Sequence, residues 1–305
     1  MNTYEFKSAD IDLELTLTCG QTFCWNRFDG DLYGNEDQKS SEVADPRDST
    51  TDGDRFYTFR KGKPLIAEEK EDHIAVDTEL PRKEVEEALD LDTDLEKVFS
   101  NFPESEALHV AKENLWGLRV INDEFFPCLI SYLCSPQMRI PRIKQMHDDI
   151  AREFGEEVEV EGKTVYRFPE PEELAEASED ELRELGVGYR AEYIAKSTEM
   201  IQEGQYSHDE ISNLGYSDAK QHIKQLHGVG DKVADCVLLF SKGFHEAYPI
   251  DTWAQKCIKS HYPKLHHDKY EKTSKNVRNH FGEKAGYAQE YLFHAARKNI
   301  IEVDN

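Results

Sequence analysis

Leu226-His227-Gly228-Val229-Gly230-Asp231-Lys232-Val233-Ala234-Asp235-Cys236, followed by Pro249-Ile250-Asp251, is the stretch whose reading decides the fold. Apolar residues at Val233, Val237, Leu238 and Phe240 predict a helix over 231–242, closed by Gly243 as a C-cap. Lys224, Gln225 and Leu226 end a preceding helix, so the segment reads as helix, hairpin, helix. Gly228 and Gly230 allow a tight turn with outward-pointing amides. The first turn of the helix that follows, with its free N–H groups and dipole, suits a phosphate. A Gly-x-Gly tripeptide alone is also a plain connector between helices, so the longer string carries the reading.

Lys232 and Cys236 lie four apart and share one helix face. A lysine beside an apolar face is expected to be partly desolvated, which favours its neutral, nucleophilic amine. The plain alternative is a solvated surface lysine, and for Cys236 a small core residue. Asp251 stands just before 252–258 and is placed to N-cap the next helix. It also puts a carboxylate where positive charge on a sugar ring could be stabilised. The two roles are compatible, because capping orients the carboxylate.

These residues resemble the helix-hairpin-helix superfamily of DNA glycosylases, and most closely the 8-oxoguanine DNA glycosylases. The string 228–236 is nearly that family's own, and the resemblance makes Lys232 the Schiff-base nucleophile and Asp251 its catalytic partner. Near the N-terminus, Gly20-Gln21-Thr22-Phe23-Cys24-Trp25 looks like the family's Gly-Gln-Ser/Thr-Phe-x-Trp strand. Its glycine carbonyl accepts a hydrogen bond from the N7 hydrogen that the oxidised guanine carries, a role that falls to Gly20; from the residues alone Gly20 is equally a bulge or strand end. Near the C-terminus, Gln289 and Phe293 in 285–293 share a helix face. The resemblance implies that Phe293 stacks on a flipped base and Gln289 reads its Watson–Crick edge, with Cys236 a further lesion contact; ordinary core packing is the alternative for both Phe293 and Cys236. The segment 133–143 resembles the loop that fills the hole left by the extruded nucleotide. Gln137 there takes the place of an inserted asparagine, Arg142 and Arg190 match arginines that read the orphaned cytosine, and Tyr189 matches an aromatic wedge. Taken singly, each arginine is also a surface charge. Two departures stand out: Pro136-Gln137-Met138-Arg139 replaces the asparagine run of the eukaryotic enzymes, and Trp253 stands where they carry a histidine.

The resemblance implies no organic cofactor. A monovalent or divalent cation bridging hairpin carbonyls to a DNA phosphate is expected at Lys224, Leu226 and Val229. The implied partner is double-stranded DNA containing oxidised guanine, bound by a monomer.

The 305 residues carry 37 Lys+Arg and 62 Asp+Glu, a net charge of −25, against the usual trend for a DNA binder. The distribution reconciles the two. Residues 219–305 hold 14 Lys+Arg against 10 Asp+Glu, or +4, whereas the remainder holds 23 against 52, or −29. Acid collects at 68–96 and 170–184. Such acidity fits a salt-loving host, where the Debye length shrinks to roughly 3 Å at 1 M. Phosphate contacts weaken steeply with salt, so binding there should lean on backbone amides, stacking and shape. The six cysteines show neither a CxxC pair nor the four-cysteine pattern of an iron–sulfur cluster, and read as reduced thiols in the cytoplasm. The polar N-terminus reads as no signal peptide, and no apolar run approaches the roughly 18 residues of a membrane span.

The fold class expected is α+β: an N-terminal antiparallel β-sheet domain over 1–80, then a mainly α-helical helix-hairpin-helix body over 81–305. Alternation at 12–18 and the runs 55–59 and 65–67 predict strands, and polar 35–54 a loop. Helices are expected at 82–89, 104–116, 126–134, 140–154, 171–185, 190–203, 218–225, 231–242, 252–261 and 287–298, with Gly20 reaching the cleft from the sheet. Two other functions compete with a lesion-excising lyase. An alkylated-base glycosylase usually lacks a lysine at 232, and a non-catalytic helix-hairpin-helix module leaves Lys232, Asp251, Gln289 and Phe293 without a purpose.

Overall fold

The computed structural model describes residues 1–7, 11–33 and 54–304; the predicted 35–54 loop lies, but for Asp54, outside them. A five-stranded antiparallel sheet is ordered β1-β5-β4-β3-β2, from strands β1 (Asn2–Lys7), β2 (Asn26–Arg27), β3 (Arg55–Arg60), β4 (Lys63–Glu69) and β5 (His73–Thr78). A helix, α1 (Leu13–Thr18), packs on β4. The sheet's core joins Phe6, Leu13, Leu17, Trp25, Phe56 and Val76, and takes in Val85 and Leu89 from the first helix after the sheet.

The expectation of a strand at 12–18 is corrected by α1. Its alternation also satisfies a helical period, because Leu13, Thr16 and Leu17 are the buried positions. Asp12 then starts the helix by accepting from the Leu15 amide at 2.8 Å. The Gly20 segment is likewise no strand. It is an irregular turn after α1, held by the Gln21 side chain, which donates to the Thr16 carbonyl (2.9 Å) and the Arg119 carbonyl (2.7 Å) and accepts from the Ile121 amide (2.9 Å). One buried amide side chain thus does the work of a strand ladder.

The helical body runs α2 (Arg82–Ala88), α3 (Leu95–Asn101), α4 (Glu106–Asn114), α5 (Phe125–Cys134), α6 (Ile140–Phe154), a hairpin of β6 (Glu156–Val160) and β7 (Lys163–Arg167), then α7 (Pro171–Leu174), α8 (Glu179–Leu182), α9 (Arg190–Gln202), α10 (Tyr216–Ile223), α11 (Asp231–Lys242), α12 (Thr252–His261), α13 (Tyr270–Phe281) and α14 (Ala285–Arg297). α5, apolar nearly all round, is the central buried helix, and α11 packs along it. The single helix predicted over 171–185 is broken into α7, α8 and a wide turn. Each piece carries its own capping box, Glu170 with Glu173 and Ser178 with Glu181, and Gly186 at φ +78° ends the run. The β6–β7 hairpin, α3 and α13 were not anticipated; α13 is mostly polar, with only Thr273, Ser274, Val277 and Phe281 buried. Among the described residues no helix is long and apolar enough to cross a membrane. The six cysteines are unpaired.

Candidate active site

α11 is bounded as its sequence requires. Gly230 is its N-cap, and Gly243, left-handed at φ +67°, closes it. The hairpin before it turns at Gly228, where φ is +81° and an added Cβ would lie 2.4 Å from the Tyr193 ring. At Gly230 an added Cβ would meet nothing within 4 Å. The first glycine is therefore demanded by the protein itself, whereas the second leaves an open face before the free amides of α11. The Ser197 hydroxyl holds the His227 carbonyl at 2.8 Å, and Val229 N–H closes the turn on the Leu226 carbonyl at 3.2 Å. Lys224 pairs with Asp231 across the hairpin.

Behind α11 lies a buried polar brace. Asp235, fully buried, accepts from Lys220 at 3.1 Å and from the Tyr216 and Tyr270 hydroxyls. Burial pushes its carboxyl up, and those partners pull it back. α10, α11 and α13 are locked in register by this one carboxylate.

The half-buried Lys232 leaves the first turn of α11 and enters a cleft of about 1360 Å³. Its ammonium donates to Ser135 Oγ at 3.0 Å and sits 5.1 Å from the centre of the Tyr132 ring. Asp251 caps α12, accepting from the Ala254 amide at 2.8 Å. Burial raises its carboxyl, against the Ala254 and Trp253 amides and the Lys232 charge that favour the anion. Cys236 faces the same cleft, but burial pushes its thiol up to about 12 despite Lys232, so it is a neutral contact and no nucleophile at neutral pH.

The cleft brings in residues from both ends of the chain. Gly20, Gln137, Trp253, Gln289 and Phe293 line it together with Lys232 and Asp251. Gly20 has φ +107°, and an added Cβ would lie 2.4 Å from Ile140 Cδ1 and 2.7 Å from Arg297 Nη1. Gln289 is buried, and its Oε1 has no hydrogen-bond partner among the described residues. Next to it, Glu290 is buried with its carboxyl pushed up to about 8, chiefly by desolvation, with the Asp251 charge adding to the rise and the Cys19 thiol, 3.6 Å away, and Arg297 opposing it.

Of the residues expected to face the opposite strand, Gln137 is exposed at φ +60° and Tyr189 is 51 % exposed, edge-on to Tyr193 at 5.7 Å. The arginines are placed differently. Arg142 donates to Gln145 (2.7 Å) and to the Gly186 carbonyl (3.1 Å). Arg190 is buried; it donates to the Pro136 and Val187 carbonyls and stacks 4.6 Å over Tyr189. In this state both stitch the 135–139 loop and α6 to the 186–190 turn. Ser135, Tyr132, Asp235, Lys220 and Arg297 were not singled out from the sequence. Only Arg297 had a local signal, lying four past Phe293.

A family model described as 8-oxoguanine DNA glycosylase, N-terminal domain matches residues 3–129, and one described as HhH-GPD superfamily base excision DNA repair protein matches 130–283. The chain is 28% identical over 325 residues to a probable N-glycosylase/DNA lyase of Methanothermobacter thermautotrophicus, with 96% of each covered. It is 27% identical to the N-glycosylase/DNA lyase OGG1 of Arabidopsis thaliana, covering 96% of this chain and 80% of that one. Among solved structures, the Clostridium acetobutylicum 8-oxoguanine glycosylase/lyase in complex with double-stranded DNA containing cytosine opposite 8-oxoguanine superposes with a TM-score of 0.80 at 27% identity, over 96% of this chain and 93% of that one.

Proposed function

Because this chain belongs to the HhH-GPD superfamily of base excision DNA repair proteins, and within it to the 8-oxoguanine DNA glycosylases, we propose that it excises 8-oxoguanine from duplex DNA and nicks the resulting abasic site as a lyase. The carrying observation is one cleft that holds an amine, a carboxylate, a turn glycine and an aromatic–glutamine pair: Lys232, Asp251, Gly20, Phe293 and Gln289.

In this reading the damaged nucleotide flips into the cleft, stacks on Phe293 and offers its Watson–Crick edge to the unpartnered Gln289 Oε1. Its N7 hydrogen donates to the Gly20 carbonyl. Lys232, stripped of a proton, attacks C1′ as the C1′–N9 bond breaks and the base departs. Asp251 stabilises the developing cationic sugar, and its raised carboxyl suits it to carry a proton. Breaking the C1′–O4′ bond, with a proton passing to O4′, then opens the sugar and turns the amino linkage into a Schiff base, which acidifies C2′; loss of that proton expels the 3′ phosphate, and hydrolysis of the imine frees the amine. Ser135 holds Lys232 in line until substrate arrives.

The open face at Gly230 and the amides of α11 receive a backbone phosphate. Carbonyls of Lys224, Leu226 and Val229, on the turn that Gly228 reverses, would be the oxygen donors for a hard cation, which would supply positive charge for that phosphate. No step of the reaction depends on it. Gln137, Arg142, Tyr189 and Arg190 border the opened pair, the arginines after exchanging their carbonyl partners for a base. The enzyme is proposed to act as a monomer on the cytoplasmic DNA.

Borohydride trapping on a duplex with 8-oxoguanine opposite cytosine, in high salt, tests the reading. Wild type should form a covalent adduct, and Lys232→Gln should form none while still binding DNA, its rate reduced roughly 10³-fold or more. Base release without an adduct would make the enzyme monofunctional. Binding with neither would leave only a DNA-binding module.

A further inference from the structure

α14 carries two adjacent stripes. Gln289 and Phe293 face the base pocket. Glu290, His294 and Arg297, spaced as i, i+4 and i+7, instead converge on the residue before Gly20. Arg297 Nη1 donates to the Cys19 carbonyl at 2.7 Å, and His294 Nδ1 lies 3.3 Å from the same oxygen. Burial pushes the His294 ring down to about 3, so it is neutral and bonds as the Nδ1–H tautomer. Cys19 Sγ lies 3.6 Å from the Glu290 carboxyl. The Arg297 guanidinium also sits 5.9 Å from the centre of the Phe293 ring and borders the cleft.

Cys19 is the C-cap of α1, where carbonyls lose their helical partners. Gly20 beyond it has no strand ladder to orient it, and a glycine peptide turns freely unless held from outside. The holder is α14, and contact is so close that Arg297 Nη1 would lie only 2.7 Å from an added Gly20 Cβ. We propose that Arg297 is a positioning residue for lesion recognition, fixing the Cys19–Gly20 peptide so that the Gly20 carbonyl is aimed at the base that Gln289 and Phe293 hold.

The consequence is selectivity. 8-Oxoguanine presents N–H at N7, whereas guanine presents a lone pair there. A rigid carbonyl bonds the first and repels the second; a carbonyl free to rotate evades the repulsion and discriminates less. The charge-assisted bond from Arg297 is the stronger of the two holding Cys19. This inference rests on the proposed reading of Gly20.

The test compares wild type, Arg297→Met, which keeps the side chain's bulk beside Phe293, and Arg297→Lys, which keeps a charged donor. Binding to 8-oxoguanine:cytosine and guanine:cytosine duplexes is measured with each change placed on Lys232→Gln. Excision, and nicking of a ready-made abasic duplex, are measured with Lys232 intact. Arg297→Met should lower the preference for the oxidised base by roughly 10- to 100-fold. Excision should fall with it, while nicking of the abasic duplex, which has no base for Gly20 to read, falls far less. Arg297→Lys should recover part of the preference. If wild type prefers 8-oxoguanine and Arg297→Met keeps that preference, the inference is wrong. Equal losses of excision and abasic nicking in both variants reduce Arg297 to a structural brace and also overturn it. A wild type with no preference sinks the reading of the site itself.

Discussion

Lys232 and Asp251 lie nineteen positions apart, one in the first turn of a helix and the other capping the next. Gly20 meets Gln289 and Phe293 across almost the whole chain, and is held there by a helix that neither family model reaches. The nucleophile end of the cleft is thus local: a hairpin, a cap and an apolar helix face place both groups. The recognition end is assembled by packing, from an irregular turn after α1, the Gln21 amide that replaces a ladder, and the stripe of α14 that clamps Cys19. In the proposed reading, excision of any base needs the first end, and choosing which base needs the second.

The largest effect expected at the nucleophile end is on stability. Asp235→Ala removes the fully buried carboxylate from beside the buried Lys220, leaving that cation to the more exposed Glu271 and to Asp231 at 4.0 Å. It should destabilise the fold by about 3–5 kcal/mol in denaturant titration. A loss under about 1 kcal/mol would mean that α10, α11 and α13 are held by apolar packing alone.

Next comes a charge separated from a cap. Asparagine caps helices as well as aspartate, so Asp251→Asn should leave stability within about 1 kcal/mol while single-turnover excision falls roughly 10²-fold or more. Equal damage to both would reduce Asp251 to its capping bond with Ala254.

The two hairpin glycines offer a finer contrast. Gly228→Ala drives a Cβ into Tyr193 at a positive φ and should cost about 1–3 kcal/mol. Gly230→Ala enters open space, so stability should move by less than about 0.5 kcal/mol. Its penalty should appear instead in DNA affinity, measured by titration in high salt. If Gly230→Ala binds normally, the open face before α11 does not receive the phosphate.

The smallest effect probes the recognition end through pH. Glu290, pushed up from 4.5 to about 8 chiefly by burial, keeps in the fold a proton that the unfolded chain releases near its ordinary value. Stability from this site is full below about pH 4.5 and is lost as pH rises to about 8. Glutamine cannot ionise, so Glu290→Gln should raise Tm at pH 8 by roughly 5 °C, the gain shrinking toward pH 5. A difference independent of pH would show that Glu290 does not carry that proton.

Much of this was legible in residue order. Helices over 140–154, 231–242 and 252–261 are found with those bounds, because each has a cap, a period and a breaker within its own span. The placement of Lys232 and Asp251 was legible for the same reason, and the shared cleft face of Gln289 and Phe293 through helical spacing. What failed was what depends on partners elsewhere. Residues 12–18 alternate like a strand and fold as α1, since the sheet they cover is built from other segments. The short strands of the β6–β7 hairpin and the polar α13 show too few apolar positions to announce themselves. Arg142 and Arg190 were matched by resemblance to arginines that read an orphaned cytosine, and residue order gave no sign that here they donate to the Gly186 and Pro136 carbonyls.

By itself, then, the order of residues determined the hairpin, Lys232 in the first turn of its helix and Asp251 capping the next, because turn chemistry, capping and helical period act over a few residues. Only the tertiary structure decided that Gly20 would be a clamped turn and no strand, that Asp235 would be buried against Lys220, and that Arg297 would close on the Cys19 carbonyl beside Gly20. Those outcomes depend on which distant surfaces close on one another, and buried polar groups take whichever partners that closure supplies.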